Sequence, residues 1–374
     1  MSDLIKVSPG VLAVGEPLPW PIYDGDGNLL VSQGYVISNE RQLDSLYSRG
    51  LFFPAPKRHN RLLEDLPEPQ RISPFAELPT LEERLNQSLN GILTGNQGAP
   101  ERIQGLARHL DRLCQDDTDA CIALMMLHAG NASAHTQSLH HALLCQLVAR
   151  QMGMTTTESC RLMAAALTAN LALRPLQDKL NTNPAPLNDA QRAIISKHPQ
   201  LGESALRKVG VRDSQWLAIV GQHHERGDGS GYPLGLKSEA ILDGARILGM
   251  AEHFIALITK RAYNQQLGPA QALLEVLSSA KDQQEQEIRE ALAEALSAFP
   301  PGSLVTLSNG EIAIVTHRPR KHDAPRIKAI VGANGTPFHG GFPRDSNEKT
   351  YQIEGATTLK RMPALNPAEL WGYR

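Results

Sequence analysis

The stretch Gln222-His223-His224-Glu225-Arg226-Gly227-Asp228-Gly229-Ser230-Gly231-Tyr232-Pro233 joins the end of an apolar helix to a glycine-rich turn. Upstream of it, Trp216, Ile219, Val220 and His223 fall at helical spacing, so His223 carries an apolar stripe into the helix end. His224 extends the neighbouring row from Leu217 and Val220. Two adjacent imidazoles leaving a helix toward the interior suit metal ligation, and the glycines after them let backbone approach a ligand closely. The plain alternative is a pair of hydrogen-bonded core histidines before an ordinary loop.

Two more residues bear on that choice. His198 follows Ile194 and Ala190 on the inward face of its helix, before Pro199, where the chain is expected to restart. Glu252 sits in the stripe Ile241, Ala245, Leu248, Ile255, and a buried carboxylate needs a cation or strong donors. Three histidines and a glutamate on separate inward faces make a candidate site for a divalent ion, although spacing alone leaves their convergence open. His141, one helical turn beyond Gln137, could supply a displaced imidazole, with His128, His135 and His140 nearby, but all four are read as surface or hydrogen-bonded histidines.

A length of 374 residues exceeds one ordinary core, so two or three domains are expected. Hydrophobic residues at 41% and charged residues at 20% give the balance of a folded cytosolic protein. Thirty-seven basic residues nearly cancel 39 acidic ones, which argues against DNA or a membrane surface as a partner. Apolar runs such as 255–258 are too short to span a bilayer, and Met1-Ser2-Asp3-Leu4-Ile5-Lys6 shows no secretory pattern, so a cytoplasmic location is expected. Cys114, Cys121, Cys145 and Cys160 form no Cys-x-x-Cys pair and read as small buried residues.

Residues 1–54 read as a small β-rich module. Its Asp24-Gly25-Asp26-Gly27-Asn28 cluster suits a hairpin turn and not a calcium loop, because Leu29 and Tyr35 occupy the positions of the needed glycine and glutamate. Pro54, Pro56, Pro67, Pro69, Pro74 and Pro79 mark 55–80 as a linker without helix or strand. Residues 81–299 are almost entirely helical, with helices expected at 81–93, 103–113, 120–127, 136–153 and 158–171, and another starting at Asn188 with Gln191 as its capping partner. Residues 300–362 form a small β domain, with a type I′ hairpin expected at Ser308-Asn309-Gly310-Glu311, and 363–374 are a tail. The fold class is therefore mainly α, an all-helical core flanked by two β-rich modules.

His223-His224-Glu225 followed by Asp228-Gly229-Ser230-Gly231-Tyr232-Pro233 resembles the signature of the HD-GYP cyclic di-GMP phosphodiesterases. Lys197-His198-Pro199 resembles that family's intervening histidine. The segment 251–257 with Arg261-Ala262-Tyr263 resembles the part bearing its last acidic ligand and a phosphate-contacting arginine. The resemblance covers about residues 115 to 280. It implies an HD-type helical core, metal ligands at His198, His223, His224 and Glu252, and a ligand-binding surface at Gly229, Gly231, Tyr232, Pro233 and Arg261.

The front half of the family pattern is missing. The first histidine aligns with Gln137, the naming His-Asp pair with Ala169 and Asn170, and the general-acid lysine with Leu173. Asn264 stands where a basic residue often contacts phosphate. The family uses two or three metal ions to open a phosphodiester. Here Ala169 offers no donor, Asn170 only a neutral amide oxygen, and Gln137 a poor ligand, so one divalent ion (iron, manganese, zinc or nickel) is the expected complement.

Three functions follow from the resemblance. The preferred one is cyclic di-GMP signalling in which the degenerate domain binds the nucleotide, or a GGDEF diguanylate cyclase, without efficient hydrolysis. The second is an active metal-dependent phosphodiesterase with an altered site. The third is a non-catalytic scaffold working through the terminal β modules, where Arg318, Arg320, Lys321 and Arg326 read as a solvated hairpin tip.

Overall fold

The computed structural model describes residues 4–7, 12, 14–15, 17–18, 20–48, 51–54, 71–131, 133–174, 188–260, 266–280, 282–320 and 323–373. The N-terminal module contains β1 (Leu4–Lys6), β2 (Ile22–Tyr23), β3 (Leu29–Val31), α1 (Glu40–Ser48) and β4 (Phe52–Pro54), with the antiparallel order β1-β4-β2-β3. Val7, Leu18, Ile22, Ile37 and Leu51 form its core, and α1 covers it with Leu43, Leu46 and Tyr47. The Asp24 carboxylate accepts from the amides of Asp26 and Asn28, closing the turn on itself.

Among the described residues ten helices make the central domain: α2 (Pro74–Leu93), α3 (Ala99–Asp116), α4 (Thr118–His128), α5 (Ala134–Gln151), α6 (Thr156–Thr168), α7 (Asp189–Lys208), α8 (Ser214–Gln222), α9 (Asp243–Ile258), α10 (Pro269–Ser278) and α11 (Gln283–Leu296). Capping boxes at Ser133/Thr136, Thr155/Glu158 and Asn188/Gln191 start α5, α6 and α7. Helix α5 is the axis of the domain, with every residue from Thr136 to Ala149 buried. Helix α2 begins at Pro74, so the expected linker 55–80 ends inside a helix. Proline in a first turn loses no hydrogen bond, and burial of Leu78, Leu81 and Leu85 outweighs Pro79 within the helix. The rest of that linker, 55–70, lies outside the described residues.

The C-terminal sheet joins β5 (Leu304–Leu307), β6 (Ile312–His317), β7 (Arg326–Val331), β8 (Pro337–Arg344) and β9 (Ile353–Thr357) in the antiparallel order β8-β7-β6-β5-β9. The β5–β6 connection is not the expected type I′ turn. Gly310 has φ +85°, but Ser297 is the only non-glycine at positive φ among the described residues, so Asn309 does not share the left-handed region. Gly310 N–H donates to Leu307 O and Leu307 N–H to Glu311 O, which is the longer hairpin with glycine at its left-handed position.

The expected tail is instead a clasp. At the end of α12 (Pro367–Leu370), Leu370 and the following Trp371 pack with Ile314 and Ile330 of the sheet and with Ala120 and Ala123 of α4. Trp371 Nε1 donates to Thr316 O at 2.8 Å and the Tyr373 hydroxyl to Asp117 at 2.9 Å. Arg318 is likewise no solvated tip: it holds Asp119 at 2.6 Å and Ala295 O at 2.7 Å, while Arg320 and Arg326 are exposed and Lys321 lies outside the described residues. Among the described residues no helix is long and apolar enough to cross a membrane.

Candidate metal centre

Pro199 does not restart the chain; it lies inside α7. Lacking an N–H, it cannot serve the carbonyl of Ile195 one turn back. The ring Nδ1 of His198 takes that carbonyl at 2.6 Å. A carbonyl only accepts, so Nδ1 carries the proton and the lone pair is left on Nε2. His223 repeats the device where α8 ends: its Nδ1 donates to Val220 O at 2.7 Å. The two Nε2 atoms then face each other 3.2 Å apart.

Burial holds both rings well below the ordinary histidine range, to about 4, His198 with a further push from His223. At neutral pH two lone pairs therefore oppose one another without a proton between them. That arrangement is repulsive alone and favourable around a cation. Nitrogens at about 2.0–2.1 Å from a tetrahedral ion are about 3.3 Å apart, close to the spacing seen. His224 completes the group, since all three rings offer ligand atoms within 4.8 Å of one another. Burial, then His223 and His198, push its pKa down as well. The donor set fits a divalent ion, and the carbonyl-anchored rings are the outer support such sites use.

Glu252 arrives from α9. Its Oε2 lies 3.8 Å from His223 Nε2 and 3.7 Å from His224 Nε2, while Oε1 lies 3.7 Å from His141 Nδ1 and accepts from Asn170 Nδ2. The approach depends on Gly249, where a Cβ would stand 2.5 Å from His223 O. The spacing of apolar residues in the sequence carries no sign of that contact.

The loop after the histidines is folded back on its own root. Glu225, buried, accepts from the amides of Leu234 at 2.7 Å and Leu236 at 2.8 Å. Gly229 has φ +79°, and a Cβ on Gly231 would meet the backbone of Glu225 and Arg226 at 2.4–2.6 Å. These constraints stack Tyr232 on His224, with ring centroids 4.7 Å apart and Pro233 following. The base of the loop is clamped by buried Arg246, which reaches Asp282 at 2.9 Å and Ser238 O at 2.7 Å. Asp282 in turn accepts from the Ser238 hydroxyl, and Arg289 pairs with Glu285.

Of the residues singled out in the sequence, His198, His223, His224 and Glu252 come together in one pocket, with Tyr232 at its edge. Arg261 lies outside the described residues. Gln137, Ala169 and Leu173 are buried, and Asn170 is half-buried with its amide on Glu252. Of the histidines read as surface or hydrogen-bonded, half-buried His135 is held by Arg174 at 2.8 Å, whereas the next two on α5 are buried. His141 is buried beside Glu252, and His140 is fully buried with neither ring nitrogen hydrogen-bonded among the described residues.

Residues 119–287 match the family model described as HD domain. A cyclic di-GMP phosphodiesterase of Pseudomonas aeruginosa is 24% identical over 258 residues, covering 68% of this chain and 60% of its own. A cyclic di-GMP phosphodiesterase response regulator of Xanthomonas campestris pv. campestris is 30% identical over 187 residues, or 50% and 44% of the two chains. A 3'3'-cGAMP-specific phosphodiesterase of Vibrio cholerae is 31% identical over 147 residues, or 38% and 33%. The chain thus spans between 44% and 60% of the first curated relatives. Among solved structures, an HDG"Y"P protein from Bdellovibrio bacteriovorus shares the fold, with TM-score 0.51 and 16% identity over 79% of this chain and 99% of that one.

The helical domain thus has the HD-domain fold, and its sequence is similar to curated cyclic di-GMP phosphodiesterases, with a Gly-Tyr-Pro loop set beside the paired histidines.

Proposed function

We propose that this protein acts in cyclic di-GMP signalling through an HD-GYP domain that holds one divalent ion and binds the nucleotide, or a diguanylate cyclase, without efficient hydrolysis. His198, His223 and His224 are the ligands of that ion, and Glu252 is its acidic neighbour. The ion supplies a positive centre for a phosphodiester oxygen and polarises water. The Gly229–Pro233 turn and Arg261 are assigned to nucleotide or partner contact.

The contact between Asn170 and Glu252 carries this reading. An amide N–H occupies the carboxylate oxygen that would otherwise face a second ion, and it satisfies that oxygen without one. Ala169 and Leu173, standing where the family pattern has a ligand and the general-acid lysine, add neither a charge nor a proton donor of their own beside Glu252. The relatives named as cyclic di-GMP phosphodiesterases support the nucleotide class.

One observation favours hydrolysis by an altered site: His141 lies 3.7 Å from Glu252 Oε1, one turn from the position the family's first histidine would take. Metal analysis of the purified chain, combined with cyclic di-GMP binding and turnover in manganese or iron, separates the two. About one ion per chain and binding without linear product is the expected result. Linear product that disappears in His223→Ala would overturn it in favour of the enzyme.

A further inference from the structure

A groove of about 740 Å³ opens on the far side of the helical domain, between α3, the start of α6 and the start of α8. Small-molecule pockets fall between about 300 and 1,000 Å³. Its floor is the apolar group Trp216, Ala164 and Cys160. Trp216 and the paired histidines mark opposite ends of α8, about 10 Å apart along the helix. The groove is thus separate from the metal pocket.

The charges around it are unevenly matched. Arg161 is satisfied by Asp213 at 2.7 Å and Gln215 at 2.8 Å. The buried carboxylate of Asp111 is taken by two amides, Gln115 at 2.8 Å and Gln146. Arg108 and Arg112, exposed on α3 one turn apart, have no ion pair or hydrogen bond among the described residues. Two like charges at this spacing repel, and the two carboxylates that line the groove, Asp111 and Asp213, are already engaged. Guanidinium pairs of this kind match the oxygens of a phosphate group.

We propose that the groove is a second binding site, for a small molecule carrying a phosphomonoester, with the phosphate on Arg108 and Arg112 and the apolar body over Trp216. Titration calorimetry of the full chain with AMP and GMP, and with guanosine as the control lacking phosphate, tests this. Saturable binding of a nucleotide but not of guanosine is expected. It should weaken about tenfold or more in Arg108→Gln/Arg112→Gln, survive in part in Arg108→Lys/Arg112→Lys, and persist in His223→Ala. Both arginines are exposed, so unchanged melting of the variants accompanies the result. No saturable binding at millimolar nucleotide overturns the proposal. So does binding that the glutamine pair leaves intact, or that His223→Ala alone removes.

Discussion

Asn170→Asp puts a second carboxylate where an amide now donates to Glu252. Two carboxylates in contact repel by about 4 kcal/mol or more at the effective dielectric of a protein site. The pair escapes by binding a proton. From an ordinary aspartate pKa near 3.9, holding that proton costs about 4 kcal/mol at pH 7 and about 1.5 kcal/mol at pH 5. The two routes agree at neutrality, so about 4 kcal/mol is the ceiling there. The folded pKa of the new pair is raised, so the penalty is absent in acid and grows as pH rises past about 4. For a domain of about 200 residues each kcal/mol moves the melting temperature by about 2–4 °C. In EDTA the variant should therefore melt on the order of 10 °C below the parent at pH 7, and about 4 °C below it at pH 5. Added manganese should close most of the gap, because an ion between the new carboxylate and Glu252 replaces the lost donor, and metal content should rise toward two per chain. A penalty that is the same at both pH values, or no penalty in EDTA, would refute the placement of the Asn170 amide on Glu252.

Other perturbations read other parts of the molecule. Arg246→Met removes the cation held against half-buried Asp282 and buried Glu285, and should cost about 3 kcal/mol in urea unfolding, with faster amide exchange over 227–238. His140 is held at about 3 by burial and by His128 and His141, and His198 and His223 at about 4. Their folded pKa values are depressed, so metal-free stability is full above the ordinary value near 6.5 and falls as pH drops toward about 4. Equal urea midpoints in EDTA at pH 7.5 and pH 5 would exclude neutral burial. Trp371→Ala empties the space against Ala120 and Ile314 and unpairs Thr316 O, so it should cost about 3–5 kcal/mol and split the melting curve if the C-terminal sheet separates from the helices.

The parts of this fold that periodicity and turn chemistry encode are legible in the chain. The stripe Trp216, Ile219, Val220, His223 places its histidine inward because a short amphipathic helix fixes its own phase. Asn188 and Gln191 announce the start of α7 because a capping box is local. His141 is ambiguous in sequence for the opposite reason. Helix α5 is buried all round, so it has no polar face from which to fix the inward direction, and spacing from Gln137 says little. The clasp at 363–373 leaves no mark in the sequence because its partner, α4, lies more than two hundred residues away.

Proline and asparagine mislead through rules that hold locally and fail in three dimensions. Pro199 reads as a break because it frees the Ile195 carbonyl; the neighbouring imidazole uses that freed acceptor and thereby presents its other nitrogen to the pocket. The His-Pro pair is thus one device for setting a tautomer. Asn170 reads as a lost ligand because an amide is a poor donor of electrons to a metal. Across 82 residues of sequence its N–H group meets Glu252, and a hydrogen-bond donor and a divalent ion are alternative partners for one carboxylate oxygen. On the reading proposed here the side chain at 170 therefore sets the ion count of the pocket. Subtracting ligands from a family pattern leaves that consequence out, because it counts the donor a residue has lost and not the acceptor it now satisfies.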